Sequence, residues 1–314
     1  MNGPRVIVCA YGGFGCAGID ALVHAGAQIV HGFSHADSPT ENIWWPSVMA
    51  RCQALGAPCE LDADFKATGP GSAAHTISGL HADFIFSFYY RSMIPERVLN
   101  LTRFGGYNLH GSLLPRYRGR APINWQLVNG ETRSGLTLHR MVRQADAGEI
   151  VAQTAIEVGP DTDAFALTCQ LMAMTPAFLE PCLPALLAGR AMLTIQDHSQ
   201  ATVYRGRRPE DGLIDWTWPA RRVHDLVRAV APPWPGAFSA LQGGRVSIDR
   251  TRVVAEDGVV GPPGLILPGN RVACGVGAIE VLLACDAQRQ RMDLGPGWTF
   301  ESLPAPEPVL RSLR

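Results

Sequence analysis

The chain has 314 residues, 46% hydrophobic and 18% charged, with a formal net charge of -1 from 27 basic and 28 acidic side chains. That is enough apolar material for one large or two medium domains. The balanced charge excludes a global basic field for nucleic acid, and no apolar run approaches the ~20 residues that span a bilayer. The N-terminus enters a strand pattern directly, so no signal peptide and a cytoplasmic location are expected. Eight cysteines (9, 16, 52, 59, 169, 182, 274 and 285) are scattered and none forms C-x-x-C. They are expected as reduced thiols, with no metal site.

Residues 5–11 (R-V-I-V-C-A-Y) read as a buried strand of the parallel-sheet kind. Residues 13–18 then fit G-x-G-x-x-G before a helix over 19–25. That fingerprint wants an acidic residue where the second strand, 28–33, ends. Ser34-His35-Ala36 stands there and Asp37 arrives late, so a tightly packed glycine turn is expected rather than a site for NAD. Residues 45–55 predict a helix with Pro46 near its start. Residues 84–89 predict a strand, 95–101 a helix, and 107–110 a further strand. A short helix over 123–128 is followed by a hairpin over 134–141 and 149–155. Residues 164–187 are helical, interrupted near Pro176, Pro181 and Pro184. This alternation makes the first ~190 residues an α/β unit. Beyond 190 helical periodicity fades, except over 220–229. Short β runs at 236–241, 245–254, 265–266, 271–274 and 279–284 have the profile of a small barrel.

Residues 107–122 (Y-N-L-H-G-S-L-L-P-R-Y-R-G-R-A-P) concentrate the chemistry. Asn108 and His110 share one face of a strand. They would emerge at its carboxyl end, where open α/β sheets bind ligands. Gly111, Pro115, Gly119 and Pro122 frame a loop carrying Arg116, Arg118 and Arg120. Any one of these residues fits a turn or a solvated charge, but packing has no use for the whole string. Asp146, in Ala145-Asp146-Ala147-Gly148, is an ordinary turn former taken alone. It becomes a third polar group if it meets Asn108 and His110. Residues 86–91 start as a core strand and end where a flat heteroaromatic ligand could lie. Arg205, Arg207 and Arg208 suit either solvent or a bidentate phosphate clamp.

The string N-L-H-G-S-L-L-P over 108–115, with Tyr117-Arg118-Gly119, Ala121-Pro122 and Asp146-Ala147-Gly148, resembles the signature of the formyltransferases that use 10-formyltetrahydrofolate. The likeness continues through 86–91, 127–132, 138–142, 227–230 and 234–238. There it is most similar to the formyltransferase portion of the bifunctional polymyxin-resistance (ArnA-type) enzymes. Those enzymes formylate UDP-4-amino-4-deoxy-L-arabinose on the lipid A modification route. The resemblance implies a Rossmann-like N-terminal formyltransferase domain over 1–200 and a smaller OB-like β-barrel domain over 201–314. It implies Asn108, His110 and Asp146 as catalytic residues. It also implies a folate site along Phe88, Tyr89, Tyr90, Arg91 and Met93, with Leu113, Leu114 and Pro115 beside it. Arg120, Arg207 and Trp45 are then substrate contacts. 10-Formyltetrahydrofolate is the co-substrate, with no NAD and no metal. The partner is a nucleotide sugar, with no nucleic acid and no membrane insertion, and a homodimer is one assembly open to the chain. Residues 1–314 include no counterpart of the NAD-dependent decarboxylase domain into which the bifunctional enzymes continue, so that activity is not expected. Two other functions remain open on the sequence: methionyl-tRNA formyltransferase, and formylation of another nucleotide amino sugar or an amino acid.

Overall fold

A computed structural model describes residues 3–39, 41–254 and 261–301. The element order is β1 (Arg5–Ala10), α1 (Gly12–His24), β2 (Gln28–Ser34), α2 (Val48–Ala54), β3 (Cys59–Leu61), α3 (Ala73–Leu80), β4 (Phe84–Phe88), α4 (Glu96–Leu99) and β5 (Gly106–His110). Next come β6 (Arg118–Gly119), α5 (Pro122–Val128), β7 (Arg133–Arg140), β8 (Ile150–Glu157), α6 (Ala164–Leu179) and α7 (Leu183–Leu187). The chain ends its described course with β9 (Val203–Tyr204), α8 (Ala220–Val230), β10 (Ala237–Leu241), β11 (Gly244–Val254), β12 (Ile266–Leu267), β13 (Arg271–Ala273) and β14 (Ala278–Cys285).

Two units form. The first holds the described residues of Met1–Arg118, Gly135–Ile156 and Cys169–Thr202; the second holds those of Gly119–Ser134, Glu157–Thr168 and Val203–Arg314. The sheet of the first runs β3-β2-β1-β4-β5-β7-β8. β1 pairs in parallel with β2 and β4, β4 with β5, and β2 with β3, whereas β5 and β7 are antiparallel. This is a Rossmann-like arrangement, and its central strands are apolar because helices cover both faces of such sheets. β4 is buried at all five positions. Ile7, Cys9, Phe33, Ile77, Ile85 and Val98 belong to one core cluster on this sheet.

The glycines of the G-x-G-x-x-G stretch are accounted for by packing. A Cβ at Gly18 would lie 2.5 Å from the Phe88 ring, one at Gly15 2.6 Å from Val48, and one at Gly13 2.0 Å from the Met172 sulfur. Several boundaries differ from the sequence reading. α1 begins at Gly12, because the glycines are in the helix rather than ahead of it. α2 begins at Val48, not at 45, since Ser47 caps it by accepting from the Ala50 amide. Pro176 lies inside α6, which stops only at Leu179. β3 and α3 were not anticipated. Both are short, and neither carries a long periodic pattern.

The second unit carries an antiparallel sheet in the order β10-β11-β14-β13-β12. Its two edges are β10 and β12, and one segment reaches both: Glu301 bridges Ala240, while Thr299 bridges Leu265. The Ile266 amide donates to the Trp298 carbonyl and the Glu301 amide to the Ala240 carbonyl. A sheet curled until one segment bonds both edges is a small barrel with its edges protected. Trp216 is fully buried beside it, stacked on Phe300 at 4.9 Å with Nε1 donating to Ser239 Oγ.

Candidate active site

The register of β5 against β7 builds the site. Asn108 pairs with His139 and His110 with Thr137. Phe88 pairs with Leu109, so the segment after β4 leaves the sheet beside the end of β5. Asp146 stands on the turn after β7 with φ of 53°, a left-handed conformation that aspartate tolerates better than most residues. Gly148 makes this turn feasible, since a Cβ there would lie 2.0 Å from the Arg140 carbonyl oxygen.

Asn108, His110 and Asp146, which the sequence placed together, do meet. Asn108 Nδ2 donates to Asp146 Oδ1 at 3.3 Å. His110 Nδ1 lies 3.7 Å from the same oxygen, and the two side chains are only 6% and 12% exposed. On its other side, His110 Nε2 is 2.7 Å from the Tyr117 carbonyl oxygen. A carbonyl only accepts, so Nε2 carries a hydrogen, and Nδ1 is the nitrogen that gains or loses a proton. Tyr117 is itself left-handed at φ 62°, and its amide donates to Thr202 Oγ1.

His139 was missed as a site residue by the sequence reading, although it was quoted within a matching stretch. It is 1% exposed. Its Nε2 lies 3.2 Å from Asn108 Nδ2 and 3.3 Å from Asp146 Oδ1. Its Nδ1 is 2.9 Å from the Arg140 carbonyl oxygen, which puts the hydrogen on Nδ1 and leaves Nε2 to accept from Asn108. The signal that could have found it is the antiparallel register itself, which sets His139 opposite Asn108. Gln196 was missed for a different reason: it is far along the chain, yet its Nε2 donates to the carbonyls of Asp146 and Gly148.

The loop over 111–117 is held by the buried Thr137 and by Gln153. Thr137 Oγ1 donates to the Ser112 carbonyl and accepts from the Leu114 amide. Gln153 Nε2 donates to the Leu114 carbonyl and to Thr137 Oγ1. Leu114 is buried, while Leu113 and Pro115 are half-buried.

The other predicted contacts divide. The Phe88 side chain is fully buried and packs on α1, so only its backbone can face a ligand. Tyr89 and Met93 are exposed, at 37% and 61%. Tyr89 stacks on Phe14 at 4.3 Å and Tyr90 on His35 at 4.2 Å. Arg91 forks onto Glu41 at 2.8 and 3.0 Å and lies over the Tyr11 ring. Trp45 packs edge-on against Tyr11. With Tyr11, Ser34, His35, Asp37 and Ser47 it lines a cleft of about 150 Å³ at the carboxyl ends of β1 and β2. Burial lowers the His35 pKa there, and burial together with the bond to Asp37 raises Tyr11 to about 12.

Arg120 and Arg207 belong to the second unit. Arg207 lies over Trp125 at 4.6 Å and donates to the Asp211 carbonyl. Burial lowers its pKa to about 10, so it remains a cation at neutral pH. Arg205 is committed to Asp211, with Nη1 donating to Oδ2 at 2.8 Å. Arg120 is exposed beside Gly206. Among the described residues no cluster of His, Cys, Asp or Glu is arranged to hold a metal ion, and no helix is long and apolar enough to cross a membrane. All eight cysteines are free.

Comparison with known proteins then identifies the chain. Residues 57–179 match the formyl transferase family model, and residues 207–296 match the formyl transferase C-terminal domain model. Among solved structures, the N-formyltransferase from Helicobacter canadensis, in complex with folinic acid and dTDP-3-aminofucose, aligns with a TM-score of 0.67 at 12% identity, covering 88% of this chain and 99% of that one. WlaRD, a sugar 3N-formyl transferase solved with dTDP and 5-N-formyl-THF, gives 0.66 at 12% identity, covering 93% and 98%. A sugar N-formyltransferase from Shewanella sp FDAARGOS_354 gives 0.61 at 19% identity, covering 82% and 99%. The two family matches together span about two thirds of the sequence, and by them this chain carries both formyl transferase domains and is a formyltransferase enzyme.

Proposed function

We propose that this enzyme transfers the formyl group of 10-formyltetrahydrofolate to the amine of a nucleotide-linked amino sugar, and that the acceptor is UDP-4-amino-4-deoxy-L-arabinose. The observation that carries the reading is the meeting of Asn108 and His110, on β5, with Asp146, on the turn after β7. Structural neighbours solved with a folate and a nucleotide or nucleotide sugar support the substrate class. The stretches 86–91, 138–142 and 234–238 support the arabinose nucleotide and the lipid A route. The first 200 residues are assigned the chemistry, and residues 201–314 the supporting barrel domain.

The folate supplies the formyl group. Exposed Tyr89 and Met93, with half-buried Tyr90, Leu113 and Pro115, offer ring and apolar surface that suits a flat pterin. As the neutral amine adds, the formyl oxygen gains negative charge. Asn108 Nδ2 donates to it, giving up its resting bond to Asp146. His110 does not share this role: its one resting hydrogen, on Nε2, is held by the Tyr117 carbonyl, so Nδ1 carries a lone pair and acts as the base. A donor aimed at developing charge is worth about 2.7–4 kcal/mol. Nδ1 then takes the amine proton, the Asp146 carboxylate stabilises the imidazolium, and His110 returns the proton to the departing folate nitrogen. The chain's part is thus to orient, to stabilise charge and to carry one proton. Arg120 and Arg207 are assigned to the diphosphate.

A competition assay tests this. The protein is offered 10-formyltetrahydrofolate with the UDP-arabinose amine, dTDP amino sugars and charged methionyl-tRNA, and products are read by mass. Preference for the arabinose nucleotide supports the reading. Preference for a dTDP sugar retains the chemistry and replaces the acceptor. Formylation of tRNA alone overturns the sugar assignment.

A further inference from the structure

A buried guanidinium sits behind the candidate site with no surface role. Arg118 is 0% exposed. Its Nε and Nη2 donate to Gln196 Oε1 at 3.2 and 2.6 Å, and Nη2 also reaches His198 Nδ1 at 3.0 Å. Nη1 has no hydrogen-bond partner among the described residues. Burying a charge without an ion pair is costly, so packing alone does not explain arginine here.

The other end of Gln196 explains it. Its single amide nitrogen donates to the Asp146 carbonyl at 2.9 Å and to the Gly148 carbonyl at 2.6 Å. Gln196 is 4% exposed, so neither bond competes freely with water. Both carbonyls belong to the turn that holds Asp146 in its left-handed conformation. Arg118 fixes which way the glutamine amide faces: with Oε1 taken by the guanidinium, Nε2 must point at the turn. Burial lowers the proton affinity of Arg118 and the Asp146 charge raises it, so the two groups also interact electrostatically.

We propose that Arg118 and Gln196 form a clamp that positions Asp146 against His110, making both of them positioning residues for formyl transfer. The inference rests on the catalytic reading of Asp146 given above. The clamp acts through backbone carbonyls, so it sets the 3.7 Å approach of the carboxylate without touching substrate.

The test uses Gln196→Glu and Arg118→Lys in the full chain. Gln196→Glu keeps an acceptor for Arg118 and deletes both donors to the turn. Amide hydrogen exchange over residues 144–149 is expected to quicken at least tenfold. kcat is expected to fall about 10- to 100-fold, as for a misplacement on the order of 1 Å, with KM for folate and amine within about threefold. Arg118→Lys keeps the charge without the fork and should fall between the two. A folded Gln196→Glu enzyme with unchanged turn exchange and unchanged kcat overturns the clamp. So does loss of activity that tracks only the unfolded fraction in both variants. If the wild-type chain formylates no amine, the catalytic reading fails. The exchange measurement then still decides whether the clamp holds the turn.

Discussion

Replacing Asp146 by asparagine changes one charge and almost no volume. The carboxylate lies 3.7 Å from His110 Nδ1 and is 12% exposed. At an effective dielectric of about 20, a unit charge pair at that distance is worth about 4.5 kcal/mol. Most of it is felt only when Nδ1 carries a proton, that is, while charge is moving. An asparagine amide can also turn a donor toward Asn108 Nδ2, where the carboxylate accepted. The expected outcome is a kcat lower by about 10² to 10³, the size seen when one charge-stabilising group is lost. KM for either substrate should change by less than about threefold. The assay is single-turnover formyl transfer, rapidly quenched and followed by product mass. A variant within fivefold of wild type would refute the role of the charge on His110.

Three further outcomes are expected. Gly148→Ala drives a Cβ to within 2.0 Å of the Arg140 carbonyl oxygen, a backbone atom that cannot step aside; it should cost about 1–3 kcal/mol, lower Tm by about 2–4 °C per kcal/mol, and reduce turnover of the folded fraction. Gly18→Ala meets the Phe88 ring at 2.5 Å, whereas Gly13→Ala meets the flexible Met172 side chain; thermal melts should rank Gly18→Ala clearly below Gly13→Ala, and equal melts would refute the packing account of these glycines. Burial, with Arg221 nearby, lowers the His224 pKa, so the folded second unit prefers neutral imidazole bonded to Thr251. Its contribution is fully present above the unfolded pKa of about 6.5 and shrinks as pH falls below that value; His224→Gln should flatten the fall of Tm between pH 7 and pH 5, and an unchanged slope would count against it.

How much of this was legible differed by element. β1 and β4 announced themselves because buried strands are dense in apolar residues. Asn108 and His110 were legible as a pair because they sit two apart on one strand, whereas Asp146 alone reads as a turn former and became a candidate through the family resemblance. β3 and α3 gave no signal, since a strand of three residues has no periodicity to read. Pro176 misled because proline removes one helical bond, a loss α6 absorbs near its end. His139 was hidden in a strand that reads as plain alternation, and only the pairing register exposes it. The clamp was out of reach for the sequence, because Arg118 and Gln196 are 78 residues apart. The glycine motif shows the converse: a ligand-binding fingerprint whose spacing is met here by close packing of α1 against α2, α6 and Phe88 of β4.

The most direct measurement of the central claim is turnover with 10-formyltetrahydrofolate labelled in the formyl carbon, comparing wild type with His110→Gln on UDP-4-amino-4-deoxy-L-arabinose. The account predicts that the label appears on the sugar amine with wild type and at least a hundredfold more slowly with the variant, since a glutamine cannot carry the proton. Label arriving at equal rates with both proteins would contradict it, as would wild-type protein that leaves every nucleotide amino sugar unlabelled.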